Sequence, residues 1–321
     1  MLLVLKHTRK SQIIPKPCKP VAWINRFKEN NRIMSARILQ QIIPSMATSD
    51  GAGVGLRRSI GQSQTVRVDP FLMLDEFSSV NADDYIAGFP NHPHRGFETV
   101  TYILDGHMLH EDHLGNSGDL KSGGAQWMTA GRGIIHSEMP KQVSGRMRGF
   151  QLWVNLPAKE KMKPAGYQDV QSEEIPLFNL ANSGYVKVIS GIAKFADQAI
   201  KGPIQGISTD VLMLDVRLPA GAYFEQVLPS DHNAFIYTFE GDVLVGPEDN
   251  QCALATQSAG VLSNGDALEV KSGEEGAAFL LLVGRPLQEP IVQYGPFVMN
   301  TREEIEQAIA DYNNGCLVKG V

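Results

Sequence analysis

Two short motifs carry residue types that bind metal ions in proteins. His92 and His94 are two residues apart, with Pro93 between them, and His136 and Glu138 repeat that spacing further along the chain. Side chains at positions i and i+2 of a strand face the same side, so each pair points one way where its segment is extended. Three neutral imidazoles and one carboxylate suit a first-row metal such as iron, manganese, nickel or copper, with zinc as a further candidate. An octahedral ion held by these four ligands keeps two positions open for substrate or dioxygen.

Other residues compete for these roles. Glu98 follows His94 by four residues and would share its strand face, which makes it an alternative to Glu138 as the carboxylate ligand. A second group of histidines follows a turn and is expected in a solvated loop or short strand: His107, His110 and His113, with Glu111 and Asp112. His232 stands alone in the second half of the chain, so that half is expected to bind no metal.

These motifs need strands to position them, and the sequence alternates like β structure from residue 60 onward. Apolar and polar residues alternate in short runs that end at turn dipeptides such as Asp105-Gly106 and Glu240-Gly241. Such runs at this spacing are typical of a β-sandwich or a β-barrel. Pro93 has a fixed φ and no N–H group, which places the first histidine pair at a strand entrance or a sheet edge.

The β pattern recurs in the two halves of the chain. TVTYILDG at 99–106 resembles NAFIYTFEG at 233–241, and FQLWVNLP at 150–157 resembles FLLLVGRP at 279–286. The matches come in the same order in both halves, which indicates two similar β units in tandem. Residues 157–185 are rich in Pro, Lys and Glu and are expected to connect the units over the surface.

The two ends of the chain depart from this pattern. The first 46 residues carry nine Lys or Arg against one acid. We predict that residues 1–46 are a disordered basic extension, with an organelle transit peptide as the alternative. At the other end, Thr301 followed by Glu304 forms a capping box, which predicts a helix over about 301–314.

The bulk properties exclude several classes of protein. The chain has 321 residues, a formal net charge of −6 and 43% hydrophobic residues, as in a soluble globular protein. Its acidity argues against direct binding to nucleic acid, and no apolar run is long enough to span a membrane. Scarce cysteine favours a cytoplasmic location, with the nucleus as an alternative in a eukaryote.

Five segments resemble signature sequences of the pirin family within the cupin superfamily: GVGLRRSIG at 53–61, DPFLMLDEF at 69–77, PHRGFETVTYILDG at 93–106, HEDHLG at 110–115 and QWMTAGRGIIHSEMP at 126–140. The resemblance implies an all-β fold of two tandem, jelly-roll-like cupin barrels with a short C-terminal helix. The implied domains are a metal-binding barrel over 47–165 and a barrel without metal over 166–321.

The same resemblance implies one iron ion per chain, bound by His92, His94, His136 and Glu138. It implies quercetin 2,3-dioxygenase activity on a flavonol-like substrate. For such an enzyme, Glu138 is our candidate for the catalytic base that deprotonates the flavonol. The alternatives are an iron-dependent, redox-sensing regulator that binds a protein partner, and a protein whose metal is only structural. A cavity of roughly 300 Å³ or more beside the metal would favour the enzyme, and a filled barrel would favour the binding module. We expect a monomer.

Overall fold

The computed structural model describes residues 28–29, 32–195 and 198–319. The strands of the first half of the chain are β1 (Lys28–Glu29), β2 (Arg32–Ile33), β3 (Leu39–Pro44), β4 (Met46–Asp50), β5 (Val54–Arg58), β6 (Phe71–Ser79), β7 (Phe89–His94), β8 (Phe97–Asp105), β9 (His107–Asp112), β10 (Ser117–Lys121), β11 (Ala125–Thr129), β12 (Ile134–Pro140), β13 (Met147–Asn155) and β14 (Gly166–Val170).

The strands of the second half are β15 (Leu177–Asn179), β16 (Tyr185–Ser190), β17 (Ile192–Phe195), β18 (Gln198–Lys201), β19 (Leu212–Leu218), β20 (Tyr223–Val227), β21 (Asn233–Glu240), β22 (Val243–Val245), β23 (Cys252–Leu254), β24 (Ser258–Leu262), β25 (Ala267–Ser272), β26 (Ala277–Gly284), β27 (Val292–Tyr294) and β28 (Phe297–Met299). Short 3-10 helices span Ala82–Asp84, Ala158–Glu160 and Ser172–Glu174, and the α-helix α1 spans Arg302–Asn313. No helix in these ranges has the length and apolar character needed to cross a membrane.

The chain folds into two barrels, and each barrel consists of two facing antiparallel sheets, one of seven strands and one of four. In the first barrel the strand orders are β14-β11-β8-β13-β6-β5-β4 and β10-β9-β12-β7. In the second they are β15-β16-β19-β26-β21-β24-β3 and β20-β25-β22-β23. The predicted all-β fold of two tandem barrels with one C-terminal helix is confirmed.

The two seven-stranded sheets pack against each other through one shared apolar core. Val100 and Leu152 from the first barrel lie in the same cluster as Tyr237 and Leu280 from the second. The side chains that alternate with these point into the barrels. The interior of the second barrel is filled by apolar groups, which include Leu214, Phe224, Ile236, Leu268 and Phe279. The interior of the first barrel holds polar groups instead, as described below.

The segment before the first barrel is part of the second barrel. β3 pairs with β24 at the edge of the second seven-stranded sheet, whereas β4 pairs with β5 in the first. The wholly buried Arg37 donates hydrogen bonds to the carbonyls of Pro229, His232, Ser263 and Gly265. The prediction that residues 1–46 are disordered is therefore wrong for 34–46, while residues 1–27 lie outside the described ranges. The predicted boundary at 165/166 falls just before β14, which pairs with β11 of the first barrel.

The C-terminal segment packs back onto the first barrel and braces the loop that follows β7. The amide N–H of Val298 donates to the carbonyl of Arg95, and the Arg95 guanidinium donates to Asp311 in α1 at 2.7 Å. Thr301 and Glu304 form the expected capping box, and the helix spans Arg302–Asn313, close to the predicted 301–314. The buried face of α1, Ile305 and Ala308, packs in a cluster that includes Ile135 of β12. Both strands that carry the histidine motifs are thus supported by the chain terminus.

Candidate metal centre

Three imidazoles meet where β7 and β12 pair in the four-stranded sheet of the first barrel. His136 is directly opposite His92, and Ile134 is opposite His94. Ring nitrogens of His92, His94 and His136 lie within 4.8 Å of one another. Within the described ranges, no second cluster of three or more His, Cys, Asp or Glu side chains has this geometry. The fold therefore brings the two distant histidine motifs together.

The hydrogen bonds of these rings leave nitrogen lone pairs facing the middle of the group. His92 Nδ1 lies 2.8 Å from the carbonyl oxygen of Pro90, which only accepts, so the ring proton sits on Nδ1 and Nε2 carries a lone pair. That Nε2 is 3.0 Å from His94 Nε2. His136 Nε2 is buried and has no hydrogen-bond partner among the described residues. Buried nitrogens without partners are rare, and a cation between the rings would satisfy them.

Burial keeps two of the rings in the form that binds a metal. His94 and His136 are 3% and 0% exposed. Burial, together with the neighbouring imidazoles, holds the pKa of both rings well below the usual range for histidine. Both are therefore neutral at neutral pH, as a metal ligand must be. The His94 ring is fixed by edge contacts with Phe97 and Trp153, at centroid distances of 5.0 and 5.3 Å.

Glu138 follows His136 by two residues on β12, is buried, and accepts hydrogen bonds from three polar side chains. Its carboxylate accepts hydrogen bonds from Thr101 Oγ1 at 2.7 Å, from Gln151 Nε2 at 3.2 Å, and from Gln126 Nε2. It is not a member of the group of three, but it lines the same cavity as His92 and His94. Sequence reasoning missed these three donors, although Thr101, Gln126 and Gln151 are polar residues that alternate with apolar ones on β8, β11 and β13.

Glu98 does not reach the histidines. Its Oε1 accepts from Thr129 Oγ1 at 2.7 Å and from Lys163 Nζ at 3.4 Å. The expectation that Glu98 shares a face with His94 is wrong because the chain does not run straight from β7 into β8. Gly96 lies between the two strands at φ 90°, a conformation that favours glycine. The rule that residues i and i+2 face the same side of a strand therefore does not hold across Gly96.

The second histidine group is divided between the surface and the barrel interior. His107 Nε2 pairs with Asp119 at 2.6 Å and is partly exposed, and His113 Nδ1 accepts from the backbone N–H of Ile135 at 3.3 Å. His110, by contrast, is 1% exposed, and its Nδ1 lies 3.4 Å from His136 Nδ1. The prediction of a solvated position is wrong for His110, because β9 pairs with β12 and turns this side chain inward.

A cavity of about 760 Å³ opens onto the candidate metal centre. The residues that line it near the centre are His92, His94, Glu138 and Gln151. Apolar walls are provided by Leu56, Met73, Phe89 and Trp153. This volume lies in the range of small-molecule sites and exceeds the roughly 300 Å³ at which a cavity beside the metal favours an enzyme over a binding module.

Two arginines of the cavity differ in their partners. Arg58 forms two hydrogen bonds with the buried Asp75, at 2.8 and 2.7 Å, and also contacts Asp50 at 3.3 Å. Arg67 donates to the neutral side chain of Gln293, and its Nε is buried with no partner among the described residues. Burial lowers the pKa of Arg67. Arg67 is therefore a cation in the cavity wall that no described acid neutralises.

The second barrel has a different interior at the corresponding position. His232 Nδ1 lies 3.0 Å from Asp231 Oδ1, and its carbonyl accepts from Arg37. It belongs to no group of three possible metal ligands in the described part of the chain.

The sequence and the fold match known proteins along most of the chain. Residues 53–154 match the family model "Pirin", and residues 213–318 match "Pirin C-terminal cupin domain". The chain belongs to the pirin family. It is 46% identical over 273 residues to human pirin, a match that covers 84% of this chain and 90% of that protein.

Two further relatives carry names that refer to an enzyme. A Pseudomonas aeruginosa protein, provisionally named as a quercetin 2,3-dioxygenase, is 55% identical over 271 residues, which is 84% of this chain and 94% of that one. The crystal structure of quercetin 2,3-dioxygenase from Acinetobacter baumannii superposes with a TM-score of 0.79 at 33% identity. That match covers 88% of this chain and 99% of the other.

Proposed function

We propose that this pirin is a metal-dependent oxygenase of the quercetin 2,3-dioxygenase type that acts on flavonol-like substrates. The observation that carries the proposal is the cavity of about 760 Å³ that is lined by His92, His94 and Glu138, at the group of three histidines that could hold a metal ion. A filled barrel, as in the second half of the chain, would leave no room for substrate. The open cavity favours the oxygenase over both a protein-binding module and a purely structural metal. The similarity to the Acinetobacter baumannii enzyme supports the same choice.

The donor set fits one first-row metal ion, and iron is the proposed occupant. His92, His94 and His136 would be its nitrogen ligands, and Glu138 its carboxylate ligand. Imidazole and carboxylate donors suit iron, manganese, nickel and copper, and a mononuclear site with open positions is typical of oxygenases. When bound, the ion would supply a redox-active Lewis acid at which a flavonol and dioxygen can react.

The protein's own residues would bind the substrate, orient it and move one proton. Met73, Phe89 and Trp153 offer apolar surface for the flavonol rings, and Arg67 offers a positive charge to an ionised phenol. Glu138 is proposed to accept the proton of the 3-hydroxyl group, since it is buried, lines the cavity and is oriented by three donors. The apolar walls exclude water from the reacting ring.

The proposed reaction consumes one dioxygen for each flavonol and needs no external reductant. The two ring bonds to C3 break, C3 leaves as carbon monoxide, and both atoms of dioxygen enter the ester and carboxyl groups of the depside product. Electrons balance within these two substrates, because the flavonol is oxidised as dioxygen is reduced.

The test is dioxygen uptake and carbon monoxide release by iron-loaded protein with quercetin and a panel of related flavonols. We expect equal amounts of dioxygen consumed and carbon monoxide released, and loss of both in His136→Ala. The variant must be shown to fold by its thermal transition. An absence of turnover across the panel, with one iron per chain confirmed by metal analysis, would refute the oxygenase.

A further inference from the structure

A buried chain of side chains connects the candidate metal centre to a carboxylate behind it. His136 Nδ1 faces His110 Nδ1 at 3.4 Å, and His110 Nε2 faces Asp112 Oδ2 at 3.3 Å. The side chains of His110 and Asp112 are 1% and 0% exposed. Neighbouring strands build this arrangement, because β9 and β12 pair with Asp112 opposite His136 and His110 opposite Glu138.

Each member of the chain is held in place by other contacts. Asp112 Oδ1 accepts from the backbone N–H groups of Leu114 at 2.9 Å and Asn116 at 3.1 Å, and Oδ2 accepts from the Asn116 side chain at 2.8 Å. The His110 ring stacks on Tyr167 with a centroid distance of 4.2 Å and an interplanar angle of 17°. The relay His136–His110–Asp112 is therefore held in place by contacts to both His110 and Asp112.

The hydrogen bonds allow one order of protons when His136 binds a metal. The unpartnered Nε2 of His136 is the atom available to the ion, so the proton of this neutral ring lies on Nδ1. That N–H donates to His110 Nδ1, which must then be the accepting nitrogen. The proton of His110 consequently lies on Nε2 and donates to Asp112. The negative charge of Asp112 thus reaches the metal ligand through two polarised hydrogen bonds.

We propose that His110 and Asp112 are positioning residues that fix the tautomer and orientation of His136 and strengthen it as a metal donor. Partners of this kind behind a ligating histidine raise its basicity, and their loss typically weakens metal affinity by about 10- to 100-fold. A stronger donor favours the ferric over the ferrous ion, so the relay also lowers the reduction potential of bound iron. This inference rests on the proposed metal site, and it does not depend on the proposed substrate.

The experiment compares Asp112→Asn, His110→Gln and the double variant with the wild type. Asp112→Asn keeps a carbonyl oxygen for the N–H groups of Leu114 and Asn116 but loses the negative charge. His110→Gln retains an acceptor for His136 Nδ1 and disconnects it from Asp112. The matched control is His107→Gln. His107 lies on β9, as His110 does, but it is partly exposed and forms its His–Asp pair with Asp119 of β10 on the outside of the barrel.

Two quantities are measured on each protein: the affinity for Fe(II) by chelator competition, and the Fe(III)/Fe(II) midpoint potential by spectroelectrochemistry. We expect each single variant to lose about 10- to 100-fold in affinity. We expect a higher potential, by about 59 mV for each tenfold preferential weakening of the ferric ion. The double variant should lose no more than the worse single variant, because both changes break one chain. The control should match the wild type.

The relay would be refuted if both single variants kept the Fe(II) affinity and the midpoint potential of the wild type. It would also be refuted if the losses of Fe(II) affinity in the two single variants added up in the double variant. Thermal unfolding of the apo-proteins identifies a variant that is merely unfolded, in which case the other single variant decides. Neither measurement uses a flavonol or dioxygen. Failure of the oxygenase test therefore leaves this test intact, and failure of the wild type to bind iron refutes the site itself.

Discussion

Replacing Arg67 by glutamine is expected to weaken flavonol binding without affecting the fold. Arg67 is a half-buried cation in the cavity wall, and no described acid neutralises it. A hydrogen bond to a charged group contributes about 1.5–3 kcal/mol, and each 1.4 kcal/mol changes a dissociation constant about tenfold. Arg67→Gln should therefore raise the dissociation constant of an acidic flavonol by about 10- to 100-fold. A flavonol methylated at its acidic phenols should show a smaller change.

The matched control is Arg58→Gln in the same cavity. The charge of Arg58 is already balanced by two hydrogen bonds with Asp75, whose pKa is raised by burial. Removing Arg58 leaves this buried carboxylate without its partner, which typically costs about 3–5 kcal/mol of stability. We expect Arg58→Gln to lower the melting temperature but to change flavonol affinity less than Arg67→Gln does.

The assay is an anaerobic titration of iron-loaded protein with the flavonol, followed by the fluorescence of Trp153, which lines the cavity. Without dioxygen the titration measures binding separately from turnover. Equal affinity in wild type and Arg67→Gln, or a larger loss in Arg58→Gln, would refute the assignment of Arg67 to substrate binding.

Three further predictions concern stability and metal content. Arg37→Met leaves four carbonyls of the second barrel without their donor. Chemical denaturation should therefore show that the free energy of unfolding falls by at least about 3 kcal/mol. A fall of less than about 1 kcal/mol would contradict the anchoring role of Arg37. Burial lowers the pKa of Lys161 from 10.5 to about 8. Between these pH values the unfolded chain binds more protons than the folded chain does. The free energy of unfolding of the wild type, relative to that of Lys161→Met, should therefore rise by about 3 kcal/mol as the pH increases through this window. A pH-independent difference between these two proteins would show that Lys161 does not titrate in that window. His232→Gln should leave metal content at one ion per chain by elemental analysis, whereas a fall would place metal in the second barrel.

The histidine motifs could be predicted from sequence because strand geometry makes i and i+2 neighbours. His92 with His94, and His136 as their counterpart, needed only that rule and two paired strands. Glu98 was misplaced because the rule fails at Gly96, where one residue with positive φ separates two strands. His110 was misplaced for another reason: its inward position depends on pairing with β12, which no local pattern reveals.

Long-range features were beyond prediction from local patterns. The basic composition of the N-terminal segment suggested disorder, but Arg37 finds four acceptors almost 200 residues or more away. The cavity could not be predicted because its walls come from several strands and from the C-terminal segment at Gln293 and Pro296. The two-barrel fold was predictable, since its repeats preserve strand and turn patterns in both halves.

We expect three histidines of the first barrel to hold the catalytic metal. Anomalous diffraction at the iron edge, from crystals of the iron-loaded protein, would locate this metal. We expect one peak per chain, at about 2.0–2.2 Å from a ring nitrogen of each of His92, His94 and His136. A peak at any other position, or no peak here in protein that contains one iron per chain, would contradict this assignment.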